Sequence, residues 1–149
     1  RINARVAGRF RTVILVDSNI LIDVLSVAQS WRDWSRMQLA TLSQNDSLAV
    51  NQVAFAEVAP RTGSLDLFHV RLAEFEIGYE PFGDEAAFAA GLAFKAYLSR
   101  RGEFKQVLPD FFIGGHALVS KSSILTRDPR FYRTYFPSVP LITPDKAEP

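Results

Sequence analysis

The chain has no cysteine. That absence excludes a disulfide scaffold, a thiolate zinc site and a cysteine nucleophile, and it fits a reducing, cytoplasmic setting. Methionine is scarce as well. Met37 is the only one and the chain opens on Arg1, so the expectation is that the native start is missing or that the first residues come from a tag. No uninterrupted apolar run approaches the roughly 20 residues of a bilayer span, so no membrane-crossing helix is expected. The basic opening segment, Arg1 to Arg11, is not followed by a secretion-type apolar run with a small-residue cleavage site. Core-forming residues, by contrast, are plentiful. Of 149 residues 48% are apolar, with 12 Phe and 2 Trp, enough for one packed domain and too many for a disordered chain.

A net charge of +1 conceals an uneven distribution. Residues 1–11 hold four Arg and no acid, which sets them apart as a basic extension from a single domain over 12–149. Residues 12–99 carry five Lys and Arg against eleven Asp and Glu, a balance of −6, whereas residues 100–133 carry seven against three, or +4. An acidic body beside a basic C-terminal third suits a polyanion at the seam, although solvated surface charge gives the same numbers.

Thr12–Val13–Ile14–Leu15–Val16 is a β-branched run without a polar face, the pattern of a strand buried on both sides. Asp17–Ser18–Asn19 interrupts it with capping residues, and Ile20, Leu21, Val24 and Leu25 then follow helical spacing. A second helix is expected over 30–42, a strand at Leu48–Val50, and a helix capped by Asn51 and ended near Pro60. Residues 64–75 read as another helix, and Ile77–Tyr79 as a weaker strand. The longest helix runs from Asp84, as N-cap, to about Arg101, with Gly102 as its stop. Pro109 opens a further helix to about Ser120, Ser123–Leu125 is a strand, and Leu141–Ile142 is an edge strand. This alternation predicts an α/β domain with a mostly parallel central sheet and helices on both faces. In such sheets ligands bind beyond the carboxyl ends of the strands.

Acids gather at that end. Asp17 follows the best strand, and Asp128 lies three residues after Leu125. Asp110 sits in a first helical turn, and Glu57 on the helix after Val50. Singly, each has a plain structural role: helix cap or first-turn charge for Asp17 and Asp110, turn initiator for Asp128–Pro129, solvated side chain for Glu57. Together they would repel one another unless a cation lay between them. Oxygen-only ligands suit Mg²⁺ or Mn²⁺, and a carboxylate-held ion pair is one apparatus for phosphodiester hydrolysis.

Four blocks carry a resemblance over about Val13 to Pro144. Val16–Asp17–Ser18–Asn19–Ile20–Leu21–Ile22–Asp23 resembles the opening motif of PIN-domain ribonucleases. Asn51 to Glu57, Leu108–Pro109–Asp110–Phe111–Phe112–Ile113–Gly114–Gly115–His116–Ala117, and Leu125–Thr126–Arg127–Asp128 come in that family's order. The best match within it is the VapC-type toxin of bacterial toxin–antitoxin pairs, and Arg130–Phe131–Tyr132–Arg133–Thr134–Tyr135–Phe136–Pro137 is similar to one branch of those toxins. The resemblance implies that Asp17, Glu57, Asp110 and Asp128 are the catalytic, metal-binding acids. It implies that Ser18 and Asn19 hold the Asp17 loop, that Mg²⁺ is the cofactor with Mn²⁺ as substitute, and that a cognate antitoxin and tRNA-like RNA are the partners. Asp23 is expected to shape its helix rather than bind metal. Two departures, the residues before 12 and Gly115–His116 in place of a small-residue stretch, touch no acidic position.

Arg100, Arg101, Lys105, Lys121, Arg127, Arg130 and Arg133 are candidates for phosphate contacts, with solvated charge the alternative for each. His116, about 240° around the helix from Asp110, is expected to pack or to line an interface, and His69 to lie on the surface. Gly114 is expected against the sheet. The Ile20–Leu25 and Trp31–Trp34 stripes are core, or in part an antitoxin seat. The small-residue stripes of the 84–101 helix predict close approach to another element or to a second copy, hence a homodimer. Competing readings are a phosphotransferase, which would need an Asp where Asn19 stands, a receiver domain, which would need a late Lys, and a catalytically silent binding module.

Overall fold

The computed structural model describes residues 5–6, 9–10, 12–27, 30–100 and 108–144. Arg5–Val6 (β1) and Arg9–Phe10 (β2) pair as an antiparallel hairpin, a feature not expected from the sequence. The domain proper runs β3 (Val13–Val16), α1 (Ser18–Leu25), α2 (Arg32–Leu42), β4 (Ser47–Val50), α3 (Gln52–Val58), a 3-10 turn (Ala59–Arg61), α4 (Leu65–Glu74) and β5 (Ile77–Tyr79). It continues with α5 (Asp84–Ser99), α6 (Leu108–Ser120), β6 (Ser123–Leu125), α7 (Arg130–Tyr135) and β7 (Leu141–Ile142). Arg101, Lys105 and the expected stop at Gly102 lie outside the described residues.

The strand order is β5-β4-β3-β6-β7, and every pairing is parallel, so the expected mostly parallel sheet is wholly so. From β3 the chain moves outward to β4 and β5, then crosses back to β6 and β7 on the other side. Right-handed crossovers therefore place α1–α4 over one face and α5–α7 over the other. The direction reverses between β3 and β6, and the crevice at their carboxyl ends is the switch point at which such sheets bind ligands.

β3 is buried because Ile14, Leu15 and Val16 present apolar side chains to both layers. Ile20, Leu21 and Val24 of α1 are fully buried beneath it. They are core, which removes them as an antitoxin seat. Trp31 and Trp34, half-buried, meet edge to face with centroids 5.7 Å apart.

Two small residues of α5, Ala86 and Ala90, are spent within the chain. A Cβ on Gly115 of α6 would lie 2.6 Å from the Ala86 carbonyl oxygen and 2.9 Å from the Ala90 amide nitrogen. Both are backbone atoms, so the two helices touch here only because that position has no side chain. Gly114 faces the ring of Phe136, not the sheet, and an added Cβ would overlap that ring. The N-cap of α5 is Gly83, with Asp84 in the first turn instead of at the cap.

Candidate functional site

Extending the strand register past the last paired residues gives one row across the carboxyl edge of the sheet. Leu15 pairs with Ala49 and Val16 with Leu125, so Asp17 stands between Asn51 and Thr126. Val50 pairs with Tyr79, which puts Glu80 beyond Asn51. The backbone continues the ladder, with the Asp17 amide donating to the Leu125 carbonyl at 3.0 Å. Two acids, an amide and a hydroxyl thus share one edge.

Asp17 is the N-cap of α1 and is buried. Its Oδ1 accepts from the Ser18 amide at 2.7 Å. Its Oδ2 accepts from Thr126 Oγ1 at 2.9 Å and from the Tyr132 hydroxyl at 3.0 Å. Asn19 Nδ2 reaches Thr126 Oγ1 at 3.2 Å, and Asn19 Oδ1 accepts from the Arg127 amide at 3.3 Å, so Asn19 pins the β6–α7 loop to α1. The Asp128 amide donates to Thr126 Oγ1 at 3.0 Å. The Ser18 amide and the Asn19 side chain thus tie the Asp17 loop to its surroundings.

Asp110 is half-buried in the first turn of α6, and Glu57 projects from α3 at the exposed rim with a hydrogen bond from Ser18. Asp128 is exposed after β6. The four acids feel one another. Burial, followed by the charges of Asp17, Glu57 and Asp128, pushes the Asp110 carboxyl up to about 8. Burial raises Asp17 above the ordinary carboxylate range despite the donors around it, and burial with the Asp17 charge raises Glu57. Burial first, and then the charges of Asp17, Asp110 and Glu57, push the Tyr132 phenol well above its usual value, so it remains a donor. Among the described residues no group of three or more His, Asp or Glu side chains is gathered as a ready metal cage. Uncompensated carboxylates spread apart, and Mg²⁺ in particular is commonly held by one or two carboxylates with water filling the other positions.

Other residues fall into place around this edge. His116 is buried, with Nδ1 3.2 Å from Asn51 Nδ2 and Nε2 3.2 Å from Glu80 Oε2. Asn51 Oδ1 meanwhile caps α3 through the amides of Val53 and Ala54. Asn51 has only donors on Nδ2, so Nδ1 accepts and the proton sits on Nε2, facing Glu80. His116 is thus the bolt joining α6, which carries Asp110, to α3, which carries Glu57, and its burial holds the imidazole pKa down. His69 is exposed, as expected.

Among the basic candidates, Arg130 and Arg133 are exposed on α7, Lys121 is exposed before β6, and the Arg100 guanidinium lies 5.7 Å over the Tyr135 ring. Arg127 differs from these, being paired with an acid of the core. Its guanidinium grips the fully buried Asp23 through Nε at 2.8 Å and Nη2 at 3.0 Å, so its charge is balanced inside the fold. Sequence reasoning misses Thr126 and Tyr132. For Thr126 a signal exists: it succeeds β6 as Asp17 succeeds β3. Nothing local marks Tyr132.

The PIN domain family profile matches residues 14–137, and the chain belongs to that family. Its fold is similar to those of several solved structures, among them a toxin–antitoxin complex from Klebsiella pneumoniae. VapBC2 from Rickettsia felis, bound to a promoter DNA fragment, superposes with a TM-score of 0.71 at 16% identity, over 89% of this chain and 99% of that one. VapBC-1 from nontypeable Haemophilus influenzae gives 0.67 at 15%, over 88% and 97%. FitAcB from Neisseria gonorrhoeae gives 0.64 at 18%, over 87% and 96%. No protein of curated function matches the sequence. Among the described residues no helix is long and apolar enough to cross a membrane.

Proposed function

We propose that this protein is a metal-dependent endoribonuclease acting as the toxin of a toxin–antitoxin pair in the cytoplasm, with structured, tRNA-like RNA as its substrate. One observation carries the reading: at the switch point of the sheet, burial and three neighbouring acids push Asp110 up to about 8. A site that resists its own full ionisation at neutral pH is built for a cation, and an all-oxygen donor set suits Mg²⁺, with Mn²⁺ as substitute. Asp17, Asp110 and Asp128 would hold it, with Glu57 joining directly or through water. A bound divalent ion supplies Lewis acidity, acidifying water and neutralising charge on the phosphodiester.

The chain's own residues prepare that chemistry. Ser18, Thr126 and Tyr132 orient the Asp17 carboxylate before any ligand arrives. In the absence of a cation the Asp110 carboxyl retains a proton at neutral pH, which leaves as compensating charge is supplied. Arg130 and Arg133, on the short helix just after Asp128, would take phosphates of the RNA. Asn19, where a phosphotransferase would need a second acid, spends its amide on Thr126 and its carbonyl on the loop.

Defined RNAs should be cleaved to products with a 5′-phosphate, because water and not the ribose 2′-OH attacks. Activity that survives EDTA, or 2′,3′-cyclic phosphate products, would defeat the mechanism.

The antitoxin partner is supported by the likeness of this fold to a toxin–antitoxin complex. A homodimer is supported by apolar surface left on the outer side of α5, where Phe88, Leu92 and Leu98 are 70%, 57% and 57% exposed. Sedimentation equilibrium should give twice the 16.7 kDa chain mass at micromolar concentration. A monomer with full nuclease activity would remove the dimer.

A further inference from the structure

Tyr132 has a hydroxyl where core packing needs none. The ring is buried on α7, edge-on to Phe131 with centroids 5.5 Å apart, and a phenylalanine would fill the same space. Its hydroxyl instead reaches across to Asp17 Oδ2 at 3.0 Å, and the Asp110 carboxyl hydrogen-bonds to the same hydroxyl. Thr126 Oγ1 approaches the same oxygen at 2.9 Å. A carboxylate oxygen offers about two lone-pair directions, and these two donors take both on Oδ2. Asn19 Nδ2 adds only a long contact to that oxygen, at 3.4 Å. Oδ1 accepts one short bond, from the Ser18 amide at 2.7 Å, while the Ser18 hydroxyl at 3.4 Å is long and weak. One direction on Oδ1 remains open.

We propose that Tyr132 is a positioning residue that, with Thr126, saturates Asp17 Oδ2 and leaves Oδ1 as the single oxygen this carboxylate offers to a cation. The inference rests on the reading of the acids as a cation site and adds a consequence for ion choice. A carboxylate limited to one oxygen suits a small ion that demands near-octahedral geometry. A carboxylate free to chelate with both oxygens suits the larger, more adaptable Ca²⁺. Tyr132 is therefore a positioning residue for ion choice, working through the Asp17 carboxylate.

The test is calorimetric titration of the full chain with Mn²⁺ and, separately, with Ca²⁺. Tyr132→Phe should weaken Mn²⁺ binding by about tenfold, the usual scale for loss of a group that orients a metal ligand, and leave Ca²⁺ binding equal or tighter. The Mn²⁺/Ca²⁺ preference then narrows by about tenfold or more, while the metal-free melting temperature stays close to that of the parent. An unchanged preference, or equal weakening of both ions, would show that the hydroxyl is merely structural and overturn the proposal. Should Tyr132→Phe unfold, Thr126→Val removes the other Oδ2 donor with the ring intact. It must shift the preference in the same direction, and failure to do so overturns the saturation argument. Asp17→Asn separates the two levels. If it retains Mn²⁺ affinity, the cation-site reading itself fails. If it abolishes Mn²⁺ binding while Tyr132→Phe leaves the preference intact, only the positioning role fails.

Discussion

Metal-free Asp110→Asn should melt at a higher temperature than the parent protein at pH 8, yet its RNA cleavage should fall by at least about 10²–10³-fold, the usual loss for one preorganised electrostatic group. The stability half comes from linkage. Asp110 titrates near 3.8 in the unfolded chain and near 8 in the fold, raised first by burial and then by Asp17, Glu57 and Asp128. Between those values the folded protein binds the extra proton, so stability falls as pH rises through the window, by up to ~1.4 kcal/mol per unit. Below pH 4 the carboxyl is protonated in both states and costs nothing. Above pH 8 the full penalty of a buried, crowded charge is present.

His116 runs the other way. Its folded pKa is lowered, chiefly by burial, so its contribution is complete above 6.5 and is lost as pH falls through the lowered value. The difference between Asp110→Asn and the parent cancels that contribution, because both retain His116. Thermal melts in EDTA at half-unit steps from pH 5 to 8.5 should therefore show the advantage of Asp110→Asn growing with pH. Saturating Mn²⁺ should abolish that advantage by stabilising the parent alone. A pH-independent difference would mean that the four acids do not share one electrostatic site.

The acids are legible in sequence because strand ends are legible. Val13–Val16 and Ser123–Leu125 are short apolar runs, and the residues next in the chain after each must emerge at the carboxyl edge. Asn51 is readable as a cap for the same local reason. Contacts set by how helices lie on the sheet leave no such mark. Tyr132 meets Asp17 across 115 positions of chain, and its aromatic neighbours mark it only as core. The small residues of α5 announce a close approach, but Gly115 as the contact depends on the angle between two helices. Arg127 groups with the basic candidates because charge in sequence carries no direction; its partner Asp23 lies 104 positions away, hidden on the inner side of α1.

That pair should be the largest single support of the site's architecture. Asp23 is fully buried and accepts three bonds, from Ser35 Oγ at 2.6 Å and from Arg127 Nε and Nη2 at 2.8 and 3.0 Å. Arg127→Ala leaves a buried carboxylate with one hydroxyl for company, a change that typically costs about 3–5 kcal/mol. At roughly 2–4 °C per kcal/mol for a domain of this size, the melting temperature should drop by about 6–20 °C. Asp23→Ala should cost less, since the partly exposed guanidinium can turn to water. Adding Asp23→Leu to Arg127→Ala should recover part of the loss, because no charge is then left buried.

Function should track stability here. The Arg127 amide is bonded to Asn19, its neighbour Thr126 donates to Asp17, and the Asp128 amide donates to Thr126. A loosened Arg127 frees that loop, so Mn²⁺ affinity should fall in Arg127→Ala even below its melting range. Arg130→Glu gives the contrast. It should weaken RNA binding and flatten its salt dependence with Mn²⁺ affinity unchanged. The opposite pattern in Arg127→Ala, intact stability and metal affinity with RNA binding alone reduced, would return Arg127 to the phosphate-binding surface and end its role as the internal counter-ion of Asp23.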